Sequence, residues 1–336
     1  MVLAIPELSG VDRARFEAEV VASGKPAVLR GLVADWPLLR QTPRSARALT
    51  DQLKQCDAGR PINAFRGDPA IRGRFGYSDD LKGYNHERLT MPFAAFVEEL
   101  LGYESQEESA SLYAGGVPVS SHFPALLEAI PIPLLDPEKE RLTSLWIGNR
   151  TLTPAHWDLP QNLACVVAGR RRFTVFPTDQ VANLYIGPLD FTLAGQPVSL
   201  VKPDEPDFVR HPRYREALEH AQVAELEPGD ALYLPSLWFH QVETLDRFGA
   251  MINFWWRDGP EWMTTPMFTL FHALLTLRDL PERERQAWRV FFDHYIFRSD
   301  EEPMAHIPEG ARGVFAPMTP QIMAALKRHL AGPLTR

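Results

Sequence analysis

The chain has 336 residues, enough for a full-sized core in one large domain or two smaller ones. Hydrophobic residues make up 45% and charged residues 23%, an ordinary balance for a soluble globular enzyme. The net charge of −8 gives a nucleic-acid partner no overall electrostatic help, and no apolar run approaches the ~20 residues of a membrane span, so neither partner is expected.

Met1-Val-Leu-Ala-Ile-Pro-Glu lacks a basic segment followed by a long apolar one, so no signal peptide and a cytoplasmic location are expected. Thirty prolines punctuate the chain and favour many short strands over long helices. Asp12 to Ser23 has the pattern of a helix. Pro26 to Val33 reads as a strand ended by an Asp35-Trp36-Pro37 turn. Ser45 to Gln55 and Pro92 to Leu101 read as helices, the second with Phe93, Phe96 and Leu100 at helical spacing. Ser111-Leu-Tyr-Ala-Gly and Thr143-Ser-Leu-Trp-Ile-Gly read as strands, and from there to about Trp256 the pattern is almost wholly strand and turn. Gln196 to His220, rich in charge and proline, interrupts it as an expected surface insert. Cys165 falls in an apolar run and reads as a buried thiol. After Pro260 the texture turns helical, with segments at Met267 to Leu275, Glu282 to Phe297 and Thr319 to Ala331. The division expected is a mixed region over 1–110, a β-core over 111–258 and a helical part over 259–336. Many large apolar side chains after Pro260 suggest a homodimer through those helices.

His156-Trp157-Asp158 is the pattern that carries chemistry, because His240 lies 84 positions downstream of His156. Two imidazoles and a carboxylate can occupy one face of an octahedral iron(II), leaving positions for an organic co-substrate and for O2. In a strand, residues two apart share a side, so His156 and Asp158 can face inward while Trp157 points away. Glu227-Pro-Gly-Asp then reads as a turn that leads through a strand to His240. Arg170-Arg171-Arg172 is a basic cluster in which alternation sets Arg171 opposite its two neighbours. Asn253 lies inside the apolar strand Ala250-Met-Ile-Asn-Phe-Trp-Trp, where a buried amide must find partners. Trp146, Trp255 and Trp256 read as packing residues. Ser-His-Asp triads, paired carboxylates and glycine-rich phosphate loops are not visible.

The segments T-P-A-H-W-D-L-P-Q-N, G-R-R-R-F-T-V-F-P-T-D-Q, P-G-D-A-L-Y-L-P-S-L-W-F-H and N-F-W-W occur in that order. Together with Ala27-Val-Leu-Arg-Gly-Leu-Val-Ala-Asp-Trp-Pro, they resemble the JmjC and cupin-like iron(II)/2-oxoglutarate oxygenases. The similarity is strongest to the protein hydroxylases related to the asparaginyl hydroxylase of the hypoxia response, and it covers residues 25 to 258 in patches. It implies a mainly β fold with flanking helices, in which a double-stranded β-helix, or jelly roll, holds the metal at its mouth. It implies His156, Asp158 and His240 as iron ligands. Tyr113 and Thr153 fall where the family hydrogen-bonds the far carboxylate of 2-oxoglutarate, and Asn162 and Asn253 where polar side chains line the co-substrate. The position that carries a lysine in the family's protein hydroxylases is Arg171 here, a departure that offers a bidentate fork in place of a point charge.

Hydroxylation of a protein or peptide side chain, or of a small molecule, with release of succinate and CO2 is the expected activity. The loops Ala64 to Asn85, with Arg66, Arg72, Arg74, Tyr77 and Tyr84, and Gln196 to His220 are expected to line the entrance. Alternatives are a metal-dependent cupin that does not use 2-oxoglutarate, which usually carries H-x-H where this chain has H-x-D, and a non-catalytic binding module.

Overall fold

The computed structural model describes residues 3–41, 45–298 and 304–334. In chain order its strands are β1 (Leu3–Ala4), β2 (Glu7–Ser9), β3 (Ala27–Arg30), β4 (Ile62–Gly67), β5 (His86–Met91) and β6 (Ser111–Pro118). They continue with β7 (Leu142–Gly148), β8 (Leu152–Trp157), β9 (Gln161–Ala168) and β10 (Arg171–Phe176). The last are β11 (Gln222–Leu226), β12 (Ala231–Leu234), β13 (Phe239–Thr244) and β14 (Gly249–Trp256). A five-stranded sheet has the order β1-β11-β10-β13-β8, and a nine-stranded sheet the order β2-β3-β12-β9-β14-β7-β6-β4-β5. From β7 to β14 the chain shuttles between the sheets, so β7, β14, β9 and β12 face β8, β13, β10 and β11. That is the jelly roll. The segments before β6 are built into it, because β3 pairs with β12 and β4 with β6.

Alternation sorts the side chains between two cores. Ala164 and Val166 of β9, Leu232 and Leu234 of β12, and Phe173 and Val175 of β10 point into the barrel and are buried against one another. The opposite faces of β7, β9 and β14, with Leu145, Ile147, Cys165 and Ile252, bury against helices Ala46–Gln55 and Phe93–Gly102. Each such leucine, isoleucine or phenylalanine contributes roughly 1.5–3 kcal/mol by leaving water. Cys165 is a free, buried thiol. Ser45 caps the first of these helices by accepting from the Ala48 amide at 3.3 Å, the role its place before the apolar run predicts.

The Glu227-Pro-Gly-Asp turn is fixed by Asp230, whose carboxylate accepts from the Gly31 amide at 2.9 Å and the Glu227 amide at 3.1 Å and pairs with Arg30. Gly229 sits there at φ +106°, a conformation side chains resist, with Ala34 close beside it. Two expectations need correction. Pro37 starts a short helix, Pro37–Gln41, rather than ending a turn, since its missing N–H and fixed φ suit a first helical position. The insert before β11 is not merely a surface loop: Val198, Val201, Tyr214 and Ala217 are buried, and Tyr214–Glu219 is helical. Its charge and proline content hid the buried anchors between.

By its contacts the chain divides into two compact units, Met1–Gly259 and Pro260–Arg336. The second contains helices Met267–Thr276, Glu282–Phe292 and Pro320–Leu334, and none of its described side chains is buried. Trp288, Phe291, Tyr295 and Phe315 form a ladder of ring contacts within it, with centroids 5.5–6.2 Å apart. Among the described residues no helix is long and apolar enough to cross a membrane.

Candidate metal centre

Strand pairing alone brings the two histidines together. His156 of β8 lies directly opposite His240 of β13, and their ring centroids are 4.3 Å apart. Asp158 follows the end of β8, two residues from His156 and on the same side. Potential ligand atoms of the three all lie within 4.8 Å of one another. Trp157 points away and packs edge-on against Phe239.

Second contacts fix how the imidazoles present themselves. His156 Nδ1 lies 2.9 Å from the Pro154 carbonyl and His240 Nδ1 3.2 Å from that of Trp238. A ring nitrogen against a carbonyl carries the proton, which leaves both Nε2 lone pairs free, the tautomer that a metal requires. Nε2 of His240 then faces Asp158 Oδ2 at 3.5 Å, so electron-rich atoms converge there. A divalent cation satisfies all three groups at once. Burial, reinforced by the neighbouring His240, lowers the His156 pKa to about 4, so that ring is neutral and ready to ligate at neutral pH. For Asp158 burial works against ionisation, but the adjoining His240 and His156 outweigh it and hold the carboxyl below its usual range.

The rim of the centre is a turn. The Trp238 amide reaches the Pro235 carbonyl at 3.3 Å, and Leu237, at φ +65° and 41% exposed, donates its amide to the Asp158 carbonyl at 2.9 Å. Ser236 Oγ donates to the Leu159 carbonyl at 2.6 Å. This turn therefore ties the strand that leads to His240 onto the chain around Asp158.

Arg171 opens β10 opposite Thr244 and points into the barrel, 1% exposed, while Arg170 pairs with Asp246 and Arg172 with Glu225 and Glu243 on the outside. Its Nε and Nη2, which share one edge of the guanidinium, are buried without a hydrogen-bond partner. Tyr113 of β6 is buried near it. Desolvation pushes the phenol up to about 12, although Arg171 and Thr153 both favour its ionised form. Phe75 stacks on the Tyr113 ring at 5.9 Å. Asn162 and Asn253 are buried in β9 and β14. Asn253 Oδ1 accepts from Trp146 Nε1 at 2.7 Å, whereas its Nδ2 and the Asn162 Oδ1 lack partners.

The Cupin-like domain model matches residues 13–261. The chain belongs to the cupin-like domain family. Among its cupin-like relatives, the tRNA wybutosine-synthesizing protein 5 of Gallus gallus is 25% identical over 312 residues, 84% of this chain and 90% of that protein. The Lysine-specific demethylase JMJ31 of Arabidopsis thaliana is 26% identical over 282 residues, 75% of this chain and 49% of that protein. Lysine-specific demethylase 8 of Xenopus tropicalis is 24% identical, over 75% of this chain and 53% of that protein. The chain thus matches about half the length of these two demethylases.

Ser144, opposite Asn253 across the β7–β14 ladder, is a buried barrel residue that the sequence did not single out. Ser144 and Trp146 reach the barrel interior because β7 alternates, a signal already present in Thr143 to Gly148. Trp146, read as packing, is also the partner that orients Asn253. Three residues of the loop expected at the entrance are held by hydrogen bonds. Arg66 forks onto Glu99, and the hydroxyls of Tyr77 and Tyr84 donate to the carbonyls of Phe191 and Thr192 at 2.8 and 2.6 Å.

Proposed function

We propose that this chain is an iron(II)- and 2-oxoglutarate-dependent oxygenase that hydroxylates a protein or peptide side chain or a small molecule. When bound, the iron and keto acid supply oxidative decarboxylation by O2, yielding succinate and CO2 with oxidation of the substrate. His156, Asp158 and His240 would hold the iron on one face, their lone pairs aimed by the Pro154 and Trp238 carbonyls.

The unpaired edge of Arg171 carries this reading. A guanidinium buried to 1% exposure with two parallel donors open is poised for one carboxylate, the geometry of a bidentate fork. Arg171 lies four residues along β10 from Val175, which pairs with His240, so about 13 Å of strand separates the anchor from the metal ligand. An arginine side chain and a short dicarboxylate between them can bridge that span, whereas a monocarboxylic keto acid would leave the fork open. Tyr113 and Thr153 flank the fork, and the open amide atoms of Asn162 and Asn253 offer polar contacts to the co-substrate. Barrel side chains exclude water from this end.

The relatives' names point to tRNA for one and lysine for others. A net charge of −8 offers a phosphate backbone no general attraction, and a protein side chain or small molecule remains our reading. A second copy is proposed to cover the helices after Pro260, whose exposed Phe268, Leu275 and Phe297 have no reason to face water. The test of the activity is succinate formation from 2-oxoglutarate with iron(II) and ascorbate in air. Wild type is expected to turn over slowly without substrate and His156→Ala not at all. Equal rates in both would refute the assignment.

A further inference from the structure

Tyr113 is gripped by absences. Its ring lies between two glycines on opposite edges. A Cβ at Gly148, its partner across the β6–β7 ladder, would stand 2.9 Å from Tyr113 Cδ2, and a Cβ at Gly115 would stand 3.0 Å from Cε1. The first separation is shorter than packed carbons tolerate, and the second would force the ring to give by a few tenths of an ångström. Gly115 is two residues from Tyr113 along β6 and so faces the same side. It belongs to the Gly115-Gly116 bulge where the register with β7 slips, and Trp146 packs over it, with Cζ3 2.9 Å from the same imagined Cβ. Phe75 covers one ring face and Trp146 leans on the ring at 6.2 Å. The phenol is thereby aimed at Thr153, beside the open edge of Arg171.

We propose that Gly115 and Gly148 form a slot, free of side chains, that positions the Tyr113 phenol in the anchor for the keto acid's remote carboxylate. Gly115 is then a positioning residue of that subsite. The inference rests on the 2-oxoglutarate reading above. Nothing about β6 itself demands glycine at 115, whose φ lies outside the left-handed region, in contrast to Gly116 at φ +66°. Space for the ring is what it provides.

Gly115→Ala is the informative variant, because the three atoms nearest the added methyl all belong to side chains, whereas at Gly148 the nearest is the Leu112 carbonyl oxygen at 2.7 Å. The measurement is 2-oxoglutarate affinity by calorimetry under nitrogen, on iron(II)-loaded wild type, Gly115→Ala, Tyr113→Ala and the double variant. Gly115→Ala is expected to bind about tenfold more weakly, the effect of one misplaced hydrogen bond to a charged group, with an unchanged iron affinity. In the Tyr113→Ala background the same methyl still meets Trp146, so only the part of its effect carried by that ring should remain, well below tenfold. Wild-type binding in Gly115→Ala, or a loss that adds in full to that of Tyr113→Ala, would overturn the slot. Failure of wild type itself to bind would instead overturn the 2-oxoglutarate reading. Ring-flip exchange of Tyr113 in metal-free wild type provides a test independent of the variants: slow flipping with two resolved edges supports the clamp, and fast averaging refutes it.

Discussion

Arg171→Met separates what the buried guanidinium does for the fold from what it does for a ligand. Arg171 is 1% exposed with Nε and Nη2 unpaired, and burial pulls its pKa down from the usual arginine value. Each buried donor without a partner costs about 1–3 kcal/mol, and replacing buried charge by an apolar chain of similar volume is often stabilising by about 1–4 kcal/mol. Taking about 2 kcal/mol, and about 2–4 °C per kcal/mol for a unit of this size, the metal-loaded variant should melt roughly 4–8 °C above wild type. The same change removes a charge-assisted fork, about 2–5 kcal/mol, so 2-oxoglutarate affinity should fall by about 30-fold or more. Scanning calorimetry with and without the keto acid measures both. Wild type should gain stability on adding the keto acid, and Arg171→Met should not. A variant that melts several degrees lower and binds 2-oxoglutarate normally would show that Arg171 is a structural residue and that the open edge carries no anion.

Leu237→Asn should raise stability by about 0.5–1 kcal/mol, because a leucine at φ +65° sits where asparagine is tolerated and its 41% exposure gives little packing in return. Chemical denaturation checks it, and a loss above ~1 kcal/mol would mean the side chain packs against something that matters. His86, wedged among Phe65, Phe75 and Tyr84, is held near a pKa of about 4 by burial and by Arg88. The unfolded chain takes up its proton near pH 6.5 and the folded one does not until about 4, so stability should fall across that window as pH drops. His86→Phe should flatten the fall by on the order of 2 kcal/mol after allowance for the ring's partial exposure. An unchanged slope would place the acid-sensitive group elsewhere. Light scattering at micromolar concentration should give the mass of two chains, and a single 38.0 kDa particle would remove the dimer proposal.

Much of the centre was legible because β-structure converts spacing into geometry. The H-x-D pair required only the two-residue period, and His240 required only that β13 lie beside β8 in register. Arg171 was separable from Arg170 and Arg172 by the same alternation. What could not be read were contacts that depend on strand order. The pairing of Tyr113 with Gly148 joins β6 to β7 through a bulge, and nothing local announces it. The partners of loop residues were equally hidden, since Arg66, Tyr77 and Tyr84 look like free polar groups until the carboxylate and carbonyls they bind are placed by distant segments. The insert before β11 misled for a related reason: a few buried anchors such as Tyr214 are diluted among charges and prolines.

The most direct test is an anaerobic titration of metal-free protein with iron(II) and then 2-oxoglutarate, watched for the visible metal-to-ligand charge-transfer band of the chelate. Wild type should develop the band, His156→Ala should not, and Arg171→Ala should need far more keto acid to reach it. Tight iron binding in wild type with no band at saturating 2-oxoglutarate would contradict the co-substrate assignment and turn attention to the other cupin chemistries.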